Sequence, residues 1–328
     1  MPSFRSLAAS AAFSLALLPF SPAQGFAEPH VVASIKPVHA LVAAVMEGVG
    51  TPKLIVGGAA SPHAYALKPS QAQALENADL IFWVGHEFES FLEKPIETIG
   101  ANARSVELLD ARGLVKLPFR EAGPFEAHAD DDHAADEENN DDHDGTAGEA
   151  QDHGKDGFDA HLWLDPVNAK VLVQVIGEAL TETDPGNTVT YAANVASTNQ
   201  KLDSLIEEVN ATLAPVHGKQ FIVFHDAYQY FETRFDMQAA GSVTVNPEVR
   251  ASAERVAAIR DKVRDLDAVC GFSEPQFDGQ LIDVVIEGTE ARTAVLDPLG
   301  ATLDDGPELY FQMIRNLGTS MRDCLQGR

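Results

Sequence analysis

The chain has 328 residues and 45% of them are hydrophobic, which is enough for one large or two medium domains with real cores. Its formal net charge is −27, from 23 Lys and Arg against 50 Asp and Glu. Because nucleic-acid binding needs clustered basic residues to neutralise phosphates, this balance argues against a nucleic-acid partner.

The first 27 residues have the features of a secretory signal peptide. Arg5 supplies a positive charge, an apolar stretch covers 7–20, and Gly25-Phe26-Ala27 is a plausible cleavage site. The apolar stretch is too short to span a bilayer. No Cys lies near the cleavage point, so we expect an exported, soluble protein without a lipid anchor that starts near Glu28. The alternative is a tethering or buried helix.

After this segment, short apolar runs alternate with helical patterns. The predicted strands of the first half are Val31–Ile35, Leu54–Gly57, Ala78–Val84 and Ser105–Leu108. The predicted helices between them are Gln71–Glu76 and Phe88–Ile99. This alternation predicts a parallel sheet with helices on its faces.

A strongly acidic insert, residues 126–159, interrupts the alternation. It holds fourteen Asp or Glu, one Lys and four histidines, namely His128, His133, His143 and His153. So polar a segment cannot bury a core, and we expect it to be disordered. Its imidazoles and carboxylates suit a divalent cation, so we hypothesise an auxiliary site of weak, fast metal capture. The alternative is a solvated acidic spacer.

Two consecutive helices are predicted after the insert. Asp165 is placed to cap the first helix, Pro166 to occupy its first position, and the helix should end near 184–186. The second runs from about Thr188 to Leu213 with an apolar stripe, and would be roughly 39 Å long at 1.5 Å per residue. Such a helix is suited to joining two lobes.

The strand and helix alternation then resumes. The predicted strands are Phe221–Phe224, Ser242–Val245, Ala268–Phe272 and Thr293–Leu296. The predicted helices pass through Tyr228 and Phe231, cover Glu254–Val263, and extend from about Glu308 to Cys324. We therefore predict an α/β fold with two lobes of parallel-sheet βα units, joined by one long rigid helix. The predicted organisation is a signal peptide (1–27), an N-terminal lobe (28–186, with a disordered loop at 120–158), a connecting helix (187–216) and a C-terminal lobe (217–328).

Four residues lie where predicted strands give way to loops or helices: His63, His161, His225 and Asp297. Ligands of open α/β sheets bind beyond the carboxyl ends of the strands, so these side chains could converge in the cleft between the lobes. Three imidazoles and a carboxylate suit tetrahedral Zn²⁺.

Each candidate also has a structural interpretation. A single histidine at a strand end is commonly a hydrogen-bonded polar residue, and Asp226 and Asp297 are placed to cap the elements that follow them. His86 also follows a predicted strand and is an alternate ligand. The remaining histidines, His30, His39 and His217, look solvent-facing or local.

The two cysteines, Cys270 and Cys324, form an even pair without CxxC spacing. In an exported protein this favours a structural disulfide, and two buried free thiols are the alternative.

Six stretches carry a family resemblance and occur in family order along most of the mature chain. They are SPHAYALKPS (61–70), ADLIFWVG (78–85), HLWLDP (161–166), FHDAYQYF (224–231), SEPQF (273–277) and LDPLG (296–300). Through them the chain resembles the zinc-specific solute-binding proteins of bacterial ABC importers, the ZnuA-like group.

The resemblance implies metal ligation by His63, His161 and His225, with Asp297 or water in the fourth position. Related manganese receptors place a carboxylate where His225 stands, which points to zinc. Some zinc members have Glu where this chain has Pro62, so that ligand is absent. The pair Cys270–Cys324 matches a disulfide of the group, and the acidic insert matches its charged loop.

The function implied is a monomeric periplasmic receptor that binds Zn²⁺ and delivers it to an ABC-transporter membrane permease with its cytoplasmic ATPase. It is not an enzyme. The rivals are a Mn²⁺ or Fe²⁺ receptor of the same family, an adhesin-like surface protein, and a zinc hydrolase. A hydrolase needs a general base beside the metal-bound water, for which Glu274 is the candidate, but the chain has neither HExxH nor GxSxG.

Overall fold

A computed structural model describes residues 28–120, 125, 157–244, 247 and 252–327. The predicted signal peptide and the four insert histidines (His128, His133, His143 and His153) lie outside these residues. Within them, every helix is too short or too polar to cross a membrane.

The first lobe is built on a four-stranded parallel sheet. Its strands are β1 (Val31–Ile35), β2 (Lys53–Val56), β3 (Leu80–Trp83) and β4 (Arg104–Glu107). They are arranged in the order β2-β1-β3-β4. The helices that connect and cover them are α1 (Lys36–Val45), α2 (Pro69–Glu76) and α3 (Ser90–Thr98).

The second lobe repeats this arrangement. Its strands are β5 (Phe221–His225), β6 (Gly241–Thr244), β7 (Cys270–Ser273) and β8 (Arg292–Val295), in the order β6-β5-β7-β8 and all parallel. Its helices are α6 (Gln229–Arg234), α7 (Ala253–Asp265), α8 (Gln280–Ile286) and α9 (Leu309–Gln326). Strands β1 and β5 therefore occupy the same inner position in their sheets, and their carboxyl ends lie at the same edge of each sheet.

Two long helices follow the first sheet, α4 (Pro166–Thr183) and α5 (Thr188–Leu213), and the second of them connects the lobes. The side chain of Asp165 accepts a hydrogen bond from the backbone N–H of Val167, which caps α4 as predicted. The 26 residues of α5 extend about 39 Å. This helix packs against α1 and α4 of the first lobe and α9 of the second. The predicted fold class, two parallel-sheet lobes with one long helix, is confirmed.

Helix α1 was not predicted from the sequence, and neither was the short α8. Every residue of α1 is buried, because the helix packs against β1, α4, α5 and α9. A helix enclosed in this way has no polar face, so it lacks the periodic pattern by which a surface helix is recognised. Its His39 is buried rather than solvent-facing, and Nε2 of the ring lies 3.1 Å from the carbonyl oxygen of Pro52.

Polar contacts also tie the two lobes together. The buried Lys36 of the first lobe donates from Nζ to the carbonyl oxygen of Leu303 at 2.7 Å and pairs with Asp305 at 3.1 Å. The indole N–H of Trp163 donates to the carbonyl oxygen of Pro298 at 2.9 Å. Since water would replace these partners if the lobes separated, each hydrogen bond holds the lobes together by about 0.5–1.5 kcal/mol.

Cys270 of β7 and Cys324 of α9 form a disulfide, with 6.2 Å between their Cα atoms. The bridge fixes the C-terminal helix to the second sheet. The predicted pairing is confirmed, and the free-thiol alternative is wrong.

Candidate metal centre

His63 lies in a short 3-10 turn, Pro62–Ala64, in the loop that follows β2. The hydroxyl of Ser61 accepts a hydrogen bond from the backbone N–H of His63 at 3.3 Å and so begins the turn. The ring is half-buried and makes an edge contact with Phe88, 4.9 Å between centroids. Among the described residues no hydrogen bond to the His63 ring is found, so packing alone orients it.

His161 lies at the start of the 3-10 turn Leu162–Leu164, just ahead of α4. The carboxylate of Asp159 accepts two hydrogen bonds, from the backbone N–H of His161 at 3.0 Å and from Nδ1 of its ring at 2.7 Å. The backbone carbonyl of Asp159 is held in turn by the hydroxyl of Tyr230 from the second lobe, at 2.8 Å. The orientation of His161 therefore depends on both lobes.

His225 is the last residue of β5 and is 2% exposed. Its Nδ1 donates to Oε1 of Glu274, which follows β7, at 2.7 Å. The backbone fixes the position of this ring, because His225 pairs in register with Thr244 of β6.

The three rings converge at one point between the lobes. Their centroids are 5.7 Å (His63–His161), 5.7 Å (His63–His225) and 5.3 Å (His161–His225) apart. One nitrogen from each ring lies within 4.8 Å of the other two. The Nε2 atoms of His161 and His225 are 3.4 Å apart. Two ligands of a tetrahedral zinc ion are separated by about 3.3–3.4 Å, given Zn–N distances of about 2.0–2.1 Å.

The hydrogen bonds of these rings determine where their protons lie. An ionised carboxylate only accepts, so Nδ1 of His161 and Nδ1 of His225 must both donate, to Asp159 and Glu274. In the neutral rings each Nε2 then presents a lone pair, and these two lone pairs face each other across 3.4 Å. Such an arrangement is repulsive unless a proton or a metal cation lies between the nitrogens.

The charge around the rings also fits a divalent cation. Oδ2 of Asp159 is buried and has no hydrogen-bond partner among the described residues, and the buried Glu274 carboxylate lies beside the hydroxyl of Tyr228. The two carboxylates bring a charge of −2 to a buried site whose histidines are neutral when they bind metal. An ion of charge +2 balances that charge.

The histidines differ in how readily they hold a proton. The pKa of His63 lies well below its usual value of 6.5, because burial and the neighbouring His161 and His225 disfavour its charged form. Burial also disfavours the charged form of His225, but the charge and hydrogen bond of Glu274 outweigh this and raise its pKa above 6.5. Of these two rings, His225 is the one at which a proton competes more directly with a metal.

A small cavity lies among the three rings, with a volume of about 10 Å³, close to that of one water molecule or one ion. His63 and His161 also line a wider mouth of about 390 Å³ that opens towards solvent. His63 and His161 therefore lie between the small cavity and the solvent-facing mouth.

Asp297 does not join the cluster of three histidines. Its Oδ1 accepts hydrogen bonds from Nε2 of Gln276 at 3.1 Å and from the backbone N–H of Leu299 at 3.2 Å. Gln276 lines the small cavity, whereas Asp297 does not. The contact with Leu299 closes a local turn in the loop after β8, and Asp297 caps no helix, because the next helix, α9, begins at Leu309.

His86 also lies apart from the three histidines, in a group with Glu87 and Glu107. Asp226 does not cap α6, whose N-cap is Tyr228. Instead it forms an ion pair with Arg120, which also donates to Glu232 at 2.7 Å.

Sequence reasoning missed Arg120, Asp159 and the true role of Glu274. Arg120 precedes the acidic insert and reaches across the mouth to Asp226 and Glu232 of the second lobe. Asp159 stands two residues before His161, a spacing that allows one carboxylate to bind both the backbone and the ring. That spacing could have identified Asp159 from the sequence. No local pattern in the sequence could have identified the partners of Arg120, which lie more than 100 residues away.

Two parallel-sheet lobes joined by a long helix, with a buried histidine cluster between them, define a two-lobed solute-binding protein. The family model described as zinc-uptake complex component A, periplasmic (ZnuA), matches residues 31–324, and the chain belongs to this family.

Individual relatives agree with the family match. Over 315 residues the chain is 52% identical to the high-affinity zinc uptake system protein ZnuA of Brucella abortus (strain 2308), covering 90% of this chain and 91% of the relative. Over 301 residues it is 38% identical to the protein of the same name from Paracoccus denitrificans (strain Pd 1222), covering 90% and 92%. The solved periplasmic zinc binding protein TroA from Treponema pallidum is similar in fold, with a TM-score of 0.73 at 19% identity, over 91% of this chain and 99% of that one.

Proposed function

We propose that this protein is a periplasmic receptor that binds one Zn²⁺ tightly through His63, His161 and His225. The observation that carries the proposal is the pair of facing Nε2 lone pairs, 3.4 Å apart, with both Nδ1 protons directed to carboxylates. That distance matches ligands on one tetrahedral ion. Relatives named as high-affinity zinc uptake proteins support the same assignment.

The fourth position is best filled by water in this conformation. Gln276 lies at the cavity and holds Asp297 through a hydrogen bond, so the Asp297 carboxylate would reach the ion only after that bond breaks. Oε1 of Gln276 is buried without a hydrogen-bond partner among the described residues. It is an available acceptor for a proton of a metal-bound water.

We infer that the cargo is zinc rather than Mn²⁺ or Fe²⁺. Imidazole nitrogens favour borderline ions such as Zn²⁺, while Mn²⁺ prefers carboxylate, carbonyl and water oxygens. The cluster presents three nitrogens and no carboxylate oxygen within 4.8 Å of all of them among the described residues. Both neighbouring carboxylates, Asp159 and Glu274, are used to hold the histidines.

The geometry favours reversible binding over hydrolysis. Glu274, the candidate general base, is 3% exposed and accepts the Nδ1 proton of His225. A carboxylate in this position raises the basicity of a metal ligand and fixes its orientation. It is therefore placed to support the ligand and not to take a proton from a water on the ion.

The remaining elements of the proposal follow from the family. Residues 1–27 serve as an export signal, 28–186 and 217–328 form the two lobes, and 187–216 connect them. The loaded, monomeric protein passes its ion to the permease of an ABC importer, which an ATPase drives from the cytoplasm. Because α5 and the contacts of Lys36 and Trp163 bind the lobes together, loading orders the cleft loops and moves the lobes little.

Chelator-competition titration of the mature protein with Zn²⁺ and with Mn²⁺ tests this proposal. We expect one tight equivalent of Zn²⁺ and at least about 100-fold weaker binding of Mn²⁺. The variant H161A should lose at least about 100-fold in zinc affinity, since it removes a ligand and leaves Asp159 without its partner. H217A is the matched control, because His217 is remote from the cluster and has an exposed carboxylate partner. Unchanged affinity in H161A, or equal affinity for both metals, would refute the assignment.

A further inference from the structure

A second group of potential metal ligands lies outside the histidine cluster, at the rim of the first sheet. His86 and Glu87 follow β3, and Glu107 is the last residue of the neighbouring strand β4. The parallel register pairs Trp83 with Glu107, which brings the carboxyl ends of the two strands together. This is the sheet edge at which ligands of open α/β sheets bind, and His63 lies beyond the same edge.

The distances within this group suit a metal ion. Nδ1 of His86 lies 3.1 Å from Oε1 of Glu107 and 3.4 Å from Oε2 of Glu87. Ligands of a tetrahedral zinc ion are about 3.3–3.4 Å apart, so an ion could replace the proton that Nδ1 shares with the two carboxylates without large side-chain movement. One nitrogen and two oxygens from three residues leave room for water in the fourth position.

The backbone holds these side chains together. The N–H of His86 donates to Oε1 of Glu107 at 3.1 Å, which positions the carboxylate beside the ring. Gly85 has φ of +155°, and a Cβ at this residue would lie 2.7 Å from that same oxygen. Gly85 therefore leaves room for the Glu107 carboxylate in the position that it holds here.

The group is also favourable for positive charge. Partial burial lowers the pKa of His86, but the hydrogen bond to Glu107 and the charges of Glu87, Glu107 and Glu93 outweigh it and raise the pKa above 6.5. Glu87 lines the wide mouth together with His63 and His161. A cation held here therefore stands at the entrance to the cleft.

We propose that His86, Glu87 and Glu107 form a second, weaker binding site for a divalent cation of the zinc class, the rim site. Three exposed or half-exposed protein ligands bind an ion reversibly, since water competes for every position. The rim site goes beyond the proposed receptor function, because it does not depend on the buried histidines.

The test is a zinc titration of the mature full chain, labelled with ¹⁵N in its histidines and already loaded with one equivalent of Zn²⁺. The ring-nitrogen resonances of each histidine report its own ligation, and the His86 resonances are assigned by their absence in H86Q. We expect further Zn²⁺ to shift the His86 resonances in a saturable manner. The double variant with Glu87→Gln and Glu107→Gln should weaken that response at least about tenfold.

His30 provides an internal control in the same spectra. It is a surface histidine with one carboxylate, Asp79, at 3.4 Å, so it has the pairing of His86 without the second carboxylate. Equal responses of His86 and His30, or an unchanged response in the double variant, would overturn the rim site. The same spectra test the receptor proposal independently. The first equivalent of zinc must shift the ring-nitrogen resonances of His63, His161 and His225, whatever happens to those of His86.

Discussion

Replacing Glu274 by Gln tests how the protein tunes its proposed zinc site. The wild-type carboxylate accepts the Nδ1 proton of His225 at 2.7 Å, in a position where His225 is 2% exposed. Gln keeps the size and an acceptor oxygen but removes the negative charge. Loss of such a supporting carboxylate typically costs 10–100-fold in metal affinity, or about 1.4–2.7 kcal/mol. We therefore expect E274Q to bind Zn²⁺ about 10–100-fold more weakly at pH 8.

The pH dependence of the same variant provides a sharper test. In the wild type the pKa of His225 is raised by Glu274, so a proton occupies the ring below that raised value and zinc must displace it. Affinity should then fall about tenfold per pH unit as the pH decreases through this range. In E274Q burial is offset only by the charges of Asp226 and Asp159, so the pKa of His225 is lower than in the wild type. The loss of affinity should begin at lower pH, and the gap between the two proteins should narrow towards pH 6.

Both effects can be measured by chelator competition between about pH 5.5 and 8. The control is E208Q, which makes the same charge change at an exposed carboxylate that pairs with Arg315 far from the cleft. E208Q should follow the wild-type curve at every pH. The reasoning fails if E274Q binds zinc as tightly as the wild type at pH 8, or if the gap widens as the pH is lowered.

Three further outcomes are expected. D297N should change zinc affinity less than about threefold, because the Asp297 carboxylate is hydrogen-bonded to Gln276 and does not contact the ion. A 100-fold loss of affinity would instead show that Asp297 is a ligand. Deleting 126–157 should leave the tight equivalent and the rim site intact and should lower the number of weaker zinc equivalents seen by calorimetry; identical total stoichiometry would exclude metal binding by the insert. Replacing Cys270 and Cys324 by Ser should lower the free energy of unfolding by roughly 4 kcal/mol, since the bridge closes a loop of 54 residues, and an unchanged denaturation midpoint would contradict this.

The strands of both lobes could be predicted because short apolar runs bounded by loop residues carry their own signal. Val31–Ile35 was predicted to the residue, and β5 extends one residue further than predicted, through His225. Helix α1 escaped prediction because it is enclosed on all sides, and α8 because seven residues give too short a pattern. The spacing of apolar residues shows which face of a segment is buried, so it cannot identify a helix that is buried on every face or one that is too short to show a pattern.

The proposed site was only partly accessible from the sequence. The positions of His63, His161 and His225 beyond strand ends made them candidates, yet their convergence is a property of two lobes and could not be read from spacing. Asp297 satisfied the same rule and lies outside the cluster, since its side chain turns to Gln276 and Leu299. Position at a strand end selects candidates, whereas side-chain direction decides among them.

The chain segments that flank residues 126–156 are joined to each other. Pro118 and Phe158 form an antiparallel bridge, and the N–H of Asp159 donates to the carbonyl oxygen of Leu117 at 2.9 Å. Arg120 clamps the same base to the opposite lobe through Asp226. The described residues on either side of 126–156 are therefore anchored to each other, at the edge of the mouth. Insertions, deletions or substitutions between these two anchored ends would therefore leave the contacts at the base of the segment, and the metal centre beside it, unchanged.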